Sequence, residues 1–125
     1  RVANLLAGHA RRPGELVARY GGEEFVMIFP DTAHQQAVNL AEHVLDSVRR
    51  ALIPQPDGLE RWYVTISIGV SSTVPSERMT PSRLLVAADQ ALYEVKRNGR
   101  NSWWYLSPEL QAAQAAPAKP ASWVV

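Results

Sequence analysis

The chain has no cysteine, which rules out disulfides and thiolate metal sites and is compatible with a reducing cytoplasm. No apolar run approaches the ~20 residues that cross a bilayer, so the segment is expected to make no membrane contact of its own. No signal-peptide pattern stands at its start. An excess of one charge is also lacking: 13 Lys and Arg against 12 Asp and Glu leave a formal net charge of +1. That balance disfavours a polycation built to hold nucleic acid. There is no Gly-x-x-x-x-Gly-Lys loop, so a P-loop nucleotidase is not supported. What is there is 46% hydrophobic over 125 residues, enough for one modest core and too apolar for a disordered chain. Opening on Arg1 instead of Met, the chain reads as a piece of a longer protein.

Hydrophobic spacing divides the chain into a short series of elements. Val2, Leu5 and Leu6 have helical spacing up to a turn signal at Arg12-Pro13-Gly14. Residues 16 to 29 read as a hairpin: two apolar runs joined by Gly21-Gly22, because glycine tolerates the positive φ that tight hairpin turns require. Thr32 with Gln35 forms a capping box for a helix whose stripe runs from Ala37 to Val48. Pro54 to Gly58 is a loop, and Trp62, Val64, Ile66, Ile68 and Val70 alternate as the buried face of a strand. Thr80-Pro81 opens another helix with Leu84, Leu85, Ala88, Ala91, Leu92 and Val95 on its buried face, ending at Asn98-Gly99. A short strand follows around Ser102 to Leu106, with one of the consecutive Trp103 and Trp104 on the core. The order predicts an α+β fold, helices packed on a mainly antiparallel sheet. Residues 1–106 form the domain and the Ala/Pro-rich residues 107–125 a flexible tail.

Three stretches carry chemistry. At Gly21-Gly22-Glu23-Glu24-Phe25 two carboxylates project from the hairpin tip, on opposite sides of the strand. Magnesium on nucleotide phosphates is usually held by one or two carboxylates plus the phosphates themselves, and a glycine turn lets phosphates approach the backbone. Taken alone, such a tip reads more readily as a solvated turn with no metal, because such turns are common. Lys96 and Arg100 flank the Asn98-Gly99 helix end, where they suit phosphates or complement the helix C-terminal dipole. His9, His34 and His43 share no metal-ligand spacing and read as helix-surface residues.

Gly21-Gly22-Glu23-Glu24-Phe25 is the GGEEF form of the GGDEF signature, and the chain resembles the diguanylate cyclases. Thr65-Ile66-Ser67-Ile68-Gly69-Val70, Ala88-Asp89-Gln90-Ala91-Leu92-Tyr93 and Lys96-Arg97-Asn98-Gly99-Arg100-Asn101 match in the same order, so the resemblance covers most of residues 1–106. It implies a palm-like nucleotide-cyclase-related α/β sandwich and a reaction that joins two GTP into cyclic di-GMP with release of pyrophosphate. Glu23 would carry Mg2+ (or Mn2+) and help activate a hydroxyl, with Glu24 beside it in the active centre. Gly21 and Gly22 would let the nucleotide lie against the backbone, and Lys96 and Arg100 would contact phosphates. Arg12-Pro13-Gly14-Glu15 stands where many members carry an inhibitory Arg-x-x-Asp product site, with glutamate replacing aspartate.

The resemblance also implies a homodimer, since two half-sites must face each other. It places a cytoplasmic domain within a parent protein that is soluble or membrane-tethered. The family's N-terminal strand and helix, with a second metal-binding aspartate and two guanine-recognising residues, lie upstream of Arg1, so this chain alone is expected to be inactive or nearly so. The rival reading is a non-catalytic signalling module of the same fold that only binds a nucleotide or a partner.

Overall fold

A computed structural model describes residues 1–56 and 62–114. In order these form α1 (Val2–Ala7), β1 (Leu16–Gly21), β2 (Glu24–Ile28), α2 (His34–Ala51), β3 (Ile68–Val70), α3 (Pro81–Arg97), β4 (Trp103–Tyr105) and α4 (Pro108–Gln114). The mixed α+β class expected from the sequence is the one observed. Strand pairing is more divided than expected: β1 and β2 form an antiparallel ladder, while β3 and β4 form a separate parallel one. Parallel pairing follows from α3, a crossover that returns the chain to the same end of the ladder.

The α2 stripe is legible in its buried residues, Val38, Ala41, Val44, Leu45 and Val48, which recur at three- and four-residue steps. Its start lies one residue later than the expected capping box. Ala33 is the N-cap, and its amide donates to Gln36 Oε1 at 3.0 Å. The Thr32 hydroxyl instead donates to the Pro30 carbonyl at 3.0 Å, next to Asp31 at φ 51°. Thr32 is thus occupied by the turn that precedes the helix.

The strand expected over residues 62–70 has a ladder only at Ile68–Val70. Upstream, Val64 N donates to Ile53 O at 2.8 Å and Tyr63 bridges Pro54. Alternation survives: Ile68 and Val70 are buried, Val64 and Ile66 half-buried, Tyr63 and Thr65 exposed. Trp62, expected inward, is 64% exposed at the far end of the segment. The expected Pro54–Gly58 loop falls partly on residues 57–61, outside those described.

Leu6, Ala41, Val44, Leu45, Ile68 and Val70 form the central cluster, with Val17, Phe25, Met27 and Trp103 packed against it. That cluster joins α1, α2, the hairpin and one face of β3. On the helix α3 the buried residues are Ala87, Ala91, Leu92 and Val95, with Ala87 in place of the expected Ala88. Trp103 packs on the core while Trp104 is 55% exposed, the division expected of consecutive strand residues.

Gly69 fixes how α3 crosses β3. A Cβ built there would overlap the Ala88 carbonyl oxygen and stand 2.5 Å from the Leu92 amide nitrogen. Both are backbone atoms, which cannot swing aside as a side chain can.

The tail expected from Ser107 onward is corrected in part. Residues 108–114 form α4, started by Ser107, whose Oγ accepts from Leu110 N at 3.1 Å. Proline at the first helical position suits the start. Pro108 is fully buried, and Glu109 accepts from the Thr73 hydroxyl at 3.3 Å. The remainder of the expected tail, residues 115–125, lies outside those described.

This packing yields a prediction. Gly69→Ala should destabilise the domain by about 3 kcal/mol, because backbone must move to admit the methyl group. Gly21→Ala, at a site open within 4 Å and without positive φ, should change stability by less than about 0.5 kcal/mol. Urea denaturation of both variants checks it; equal effects would mean that the α3 crossing is not set at Gly69.

Candidate active site

The hairpin turn is built differently from the Gly21-Gly22 pair expected. Leu16 to Arg19 pair with Ile28 to Phe25 in one register, then Gly21 pairs with Glu24 after a shift. Tyr20 is the extra residue of this bulge, and Gly22-Glu23 become the turn. Gly22 has φ 56°, and Glu23 is not in the left-handed region. Positive φ at the first central residue alone is the pattern of a type II′ turn, which favours glycine there.

The carboxylates therefore differ in setting. Glu23 sits exposed at the tip, with no ion pair or hydrogen bond among the described residues. Glu24 opens β2, and its Oε1 lies 3.9 Å from Lys96 Nζ. Both members of that pair are a little over one-third exposed, so the contact contributes at most a few tenths of a kcal/mol, about the value of a surface ion pair. Its importance is positional: it brings the C-terminal end of α3 to the hairpin.

Arg19 holds the tip and was not singled out from the sequence. Its Nε and Nη2 donate to the Gly22 carbonyl at 2.9 and 2.7 Å, and its guanidinium carbon lies 6.0 Å from the Phe25 ring centre. Arg19 and Phe25 are cross-strand partners. That pairing is readable once the register is known, but the register depends on the bulge.

Arg100 lies at the end of α3 in a run of left-handed residues: Gly99 at φ 106°, Arg100 at 65° and Asn101 at 52°. Arg100 N donates to Val95 O at 2.9 Å, closing a Schellman-type end in which glycine takes the first left-handed position. Asparagine tolerates this region; arginine there costs about 1 kcal/mol or more. The Arg100 side chain is exposed, with no ion pair or hydrogen bond among the described residues. Arg97 points outward and pairs with Glu94 at 3.9 Å.

Arg12 and Glu15 do come together. Glu15 Oε1 accepts from the amides of Arg11 and Arg12 at 2.9 and 2.8 Å, and Oε2 lies 3.1 Å from Arg12 Nε. These donors, the Arg12 amide foremost, hold the Glu15 carboxyl below its ordinary value of 4.5. Arg12 remains largely exposed beside an open cavity of about 410 Å³, lined also by His9, Gln36, Asn39 and His43.

The histidines separate. His9 is half-buried with Nε2 3.1 Å from Ser47 Oγ, so it is not the helix-surface residue expected. Burial, then Arg11 and His43, lower its pKa. His34 stacks on Tyr105 with ring centres 3.7 Å apart. Among the described residues no three His, Cys, Asp or Glu side chains cluster as a metal site. Glu23, an exposed carboxylate at the tip, fits a hard cation that arrives with phosphates, since such ions take only one or two protein carboxylates.

An α+β domain with an acidic glycine turn beside a cationic helix end is suited to nucleotide phosphates. Residues 1–102 match the family model described as "Diguanylate cyclase, GGDEF domain". The chain belongs to that family. It is 47% identical over 88 residues to the response regulator PleD of Caulobacter vibrioides, covering 70% of this chain and 19% of that protein. It is 39% identical over 100 residues to the probable diguanylate cyclase DgcT of Escherichia coli, covering 80% of this chain and 22% of that one. The chain thus spans about a fifth of the length of these curated relatives. Among solved structures, the GGDEF domain of DgcB from Caulobacter crescentus in complex with c-di-GMP superposes with a TM-score of 0.71. Identity is 32%, with 86% of this chain and 61% of that one covered. No helix among the described residues is long and apolar enough to cross a membrane.

The Glu15 contacts predict an acid limb of stability. A carboxyl with a lowered folded pKa stabilises fully above its unfolded value and loses that contribution as pH falls through the folded value. Glu15→Gln should therefore be less stable than the unsubstituted chain at about pH 6, with the gap closing toward about pH 3 in urea titrations. A gap independent of pH would mean that the Glu15 charge plays no part.

Proposed function

We propose that this domain condenses two GTP molecules into cyclic di-GMP with release of pyrophosphate. The observation that carries the reading is the approach of Lys96 to Glu24 at 3.9 Å, which puts a phosphate-seeking cation beside the acidic turn. Each 3′-hydroxyl attacks the α-phosphorus of the other nucleotide, and pyrophosphate leaves. Catalysis of such transfers rests on positioning and on neutralising phosphate charge. Lys96 and Arg100 hold the phosphates, and Gly21 and Gly22 leave room for them against the backbone. Glu23 would hold Mg2+ or Mn2+ and draw the proton from the attacking hydroxyl, with Glu24 beside it in the active centre. A cation bound there supplies neutralisation of the triphosphate oxygens.

Two domains must meet for the two nucleotides to react, so the active parent is a homodimer with two-fold symmetry. GTP supply makes the cytoplasm its compartment. Arg12 with Glu15 is proposed as a product-binding inhibitory site, supported by the exposed Arg12 guanidinium at the mouth of the open cavity. The non-catalytic module is the alternative.

The test is incubation of the full-length parent with GTP and Mg2+ and detection of cyclic di-GMP. Glu23→Ala should lower its formation by about a hundredfold or more, the scale on which a charge-positioning group contributes. Product formation unchanged by Glu23→Ala would contradict the metal role. GTP binding without any product in the unsubstituted parent would favour the non-catalytic module.

A further inference from the structure

Arg49 stands near the C-terminal end of α2, far in sequence from the residues discussed as phosphate ligands, yet it reaches across to the turn that carries one of them. Its Nε donates to Asn101 Oδ1 at 3.0 Å and its Nη2 to the Asn101 carbonyl at 2.7 Å. Asp46 Oδ1 lies 3.5 Å from Nη1 of the same guanidinium and steadies it from the other side. Asn101 closes the left-handed run Gly99-Arg100-Asn101. Arginine has no local reason to adopt that conformation, and such residues persist where surrounding contacts over-determine them. The Schellman contact fixes the near end of the run, and the grip on Asn101 fixes the far end. Between those two anchors only Arg100 projects, exposed and without a partner among the described residues.

We infer that Arg49 is a positioning residue for phosphate binding: by gripping Asn101 it holds the left-handed turn that presents Arg100. The inference rests on the reading of Arg100 as a phosphate ligand. Two parallel donors in a fixed fork, one to the side chain and one to the main chain, set both the rotation and the translation of Asn101. Lysine at 49 could supply only a point charge and would keep part of the hold. Without the grip, Arg100 is free to leave the left-handed region, and its guanidinium is no longer presented at the end of α3. Arg49 itself touches no ligand in this scheme.

The experiment is calorimetric titration of the chain with inorganic triphosphate, with urea midpoints recorded for each variant. Arg100→Ala should weaken binding about tenfold, the value of a charge-assisted contact. Arg49→Gln should weaken it about fivefold and Arg49→Lys about twofold. The double variant Arg49→Gln/Arg100→Ala should bind no more weakly than Arg100→Ala, because the two act through one contact. A purely structural role for Arg49 would leave its factor multiplying that of Arg100→Ala in full, which overturns the inference. Binding by Arg49→Gln equal to that of the unsubstituted chain also overturns it; if that variant does not fold, the same comparison with Arg49→Lys decides. No binding by the unsubstituted chain, or unchanged binding by Arg100→Ala, sinks the phosphate reading itself and this inference with it.

Discussion

The contact of α3 with β3 at Gly69 is the constraint on which the arrangement depends. Because no side chain stands there, the helix backbone at Ala88 and Leu92 lies directly on the strand. That approach fixes the axis of α3, and the axis fixes where its last turn emerges. Lys96 then meets Glu24 of the hairpin, and the turn after Asn98 comes within reach of Arg49 on α2. A helix held further out by one methyl group would carry all of these contacts with it. The core on the opposite face of β3, where Ile68 and Val70 meet Ala41, Val44 and Leu45, holds the strand against that pressure.

The site has firm parts and loose ones. The hairpin turn is tied by Arg19 to the Gly22 carbonyl, and the α3 end is tied at Val95 and Asn101. Glu23 and Arg100 are left exposed on these fixed supports. Charges held out on a rigid frame suit a ligand that brings its own charge and metal, since little must reorganise when it binds. The Glu24–Lys96 pair is long and half-open, so either partner is available to a competing phosphate or cation.

Much of this was legible in the residues. The apolar stripe of α2, the Thr80-Pro81 start of α3, the alternation from Val64 to Val70 and the acidic glycine turn all follow from local rules. The misreadings have identifiable causes. A bulge at Tyr20 moved the turn by one residue, and a bulge is a property of the pair of strands, not of either alone. The helix at Pro108 carried its own start signal in Ser107-Pro108-Glu109, masked by the alanine-rich residues that follow. Trp62 kept its place in the alternation but not its burial, because burial depends on what covers a strand end. Arg49 and Asn101 are 52 residues apart and meet only through the packing of α2 and the α3–β4 turn, so no local pattern joins them.

The proposed activity requires the acidic turn and the end of α3 to form a single triphosphate site. Amide chemical-shift mapping of the labelled chain with GTP and Mg2+ tests this most directly. The account predicts that resonances of residues 21–24 and of residues 96–101 move together and saturate at the same GTP concentration. Movement of one group without the other, or of residues around the Arg12 cavity alone, would contradict it.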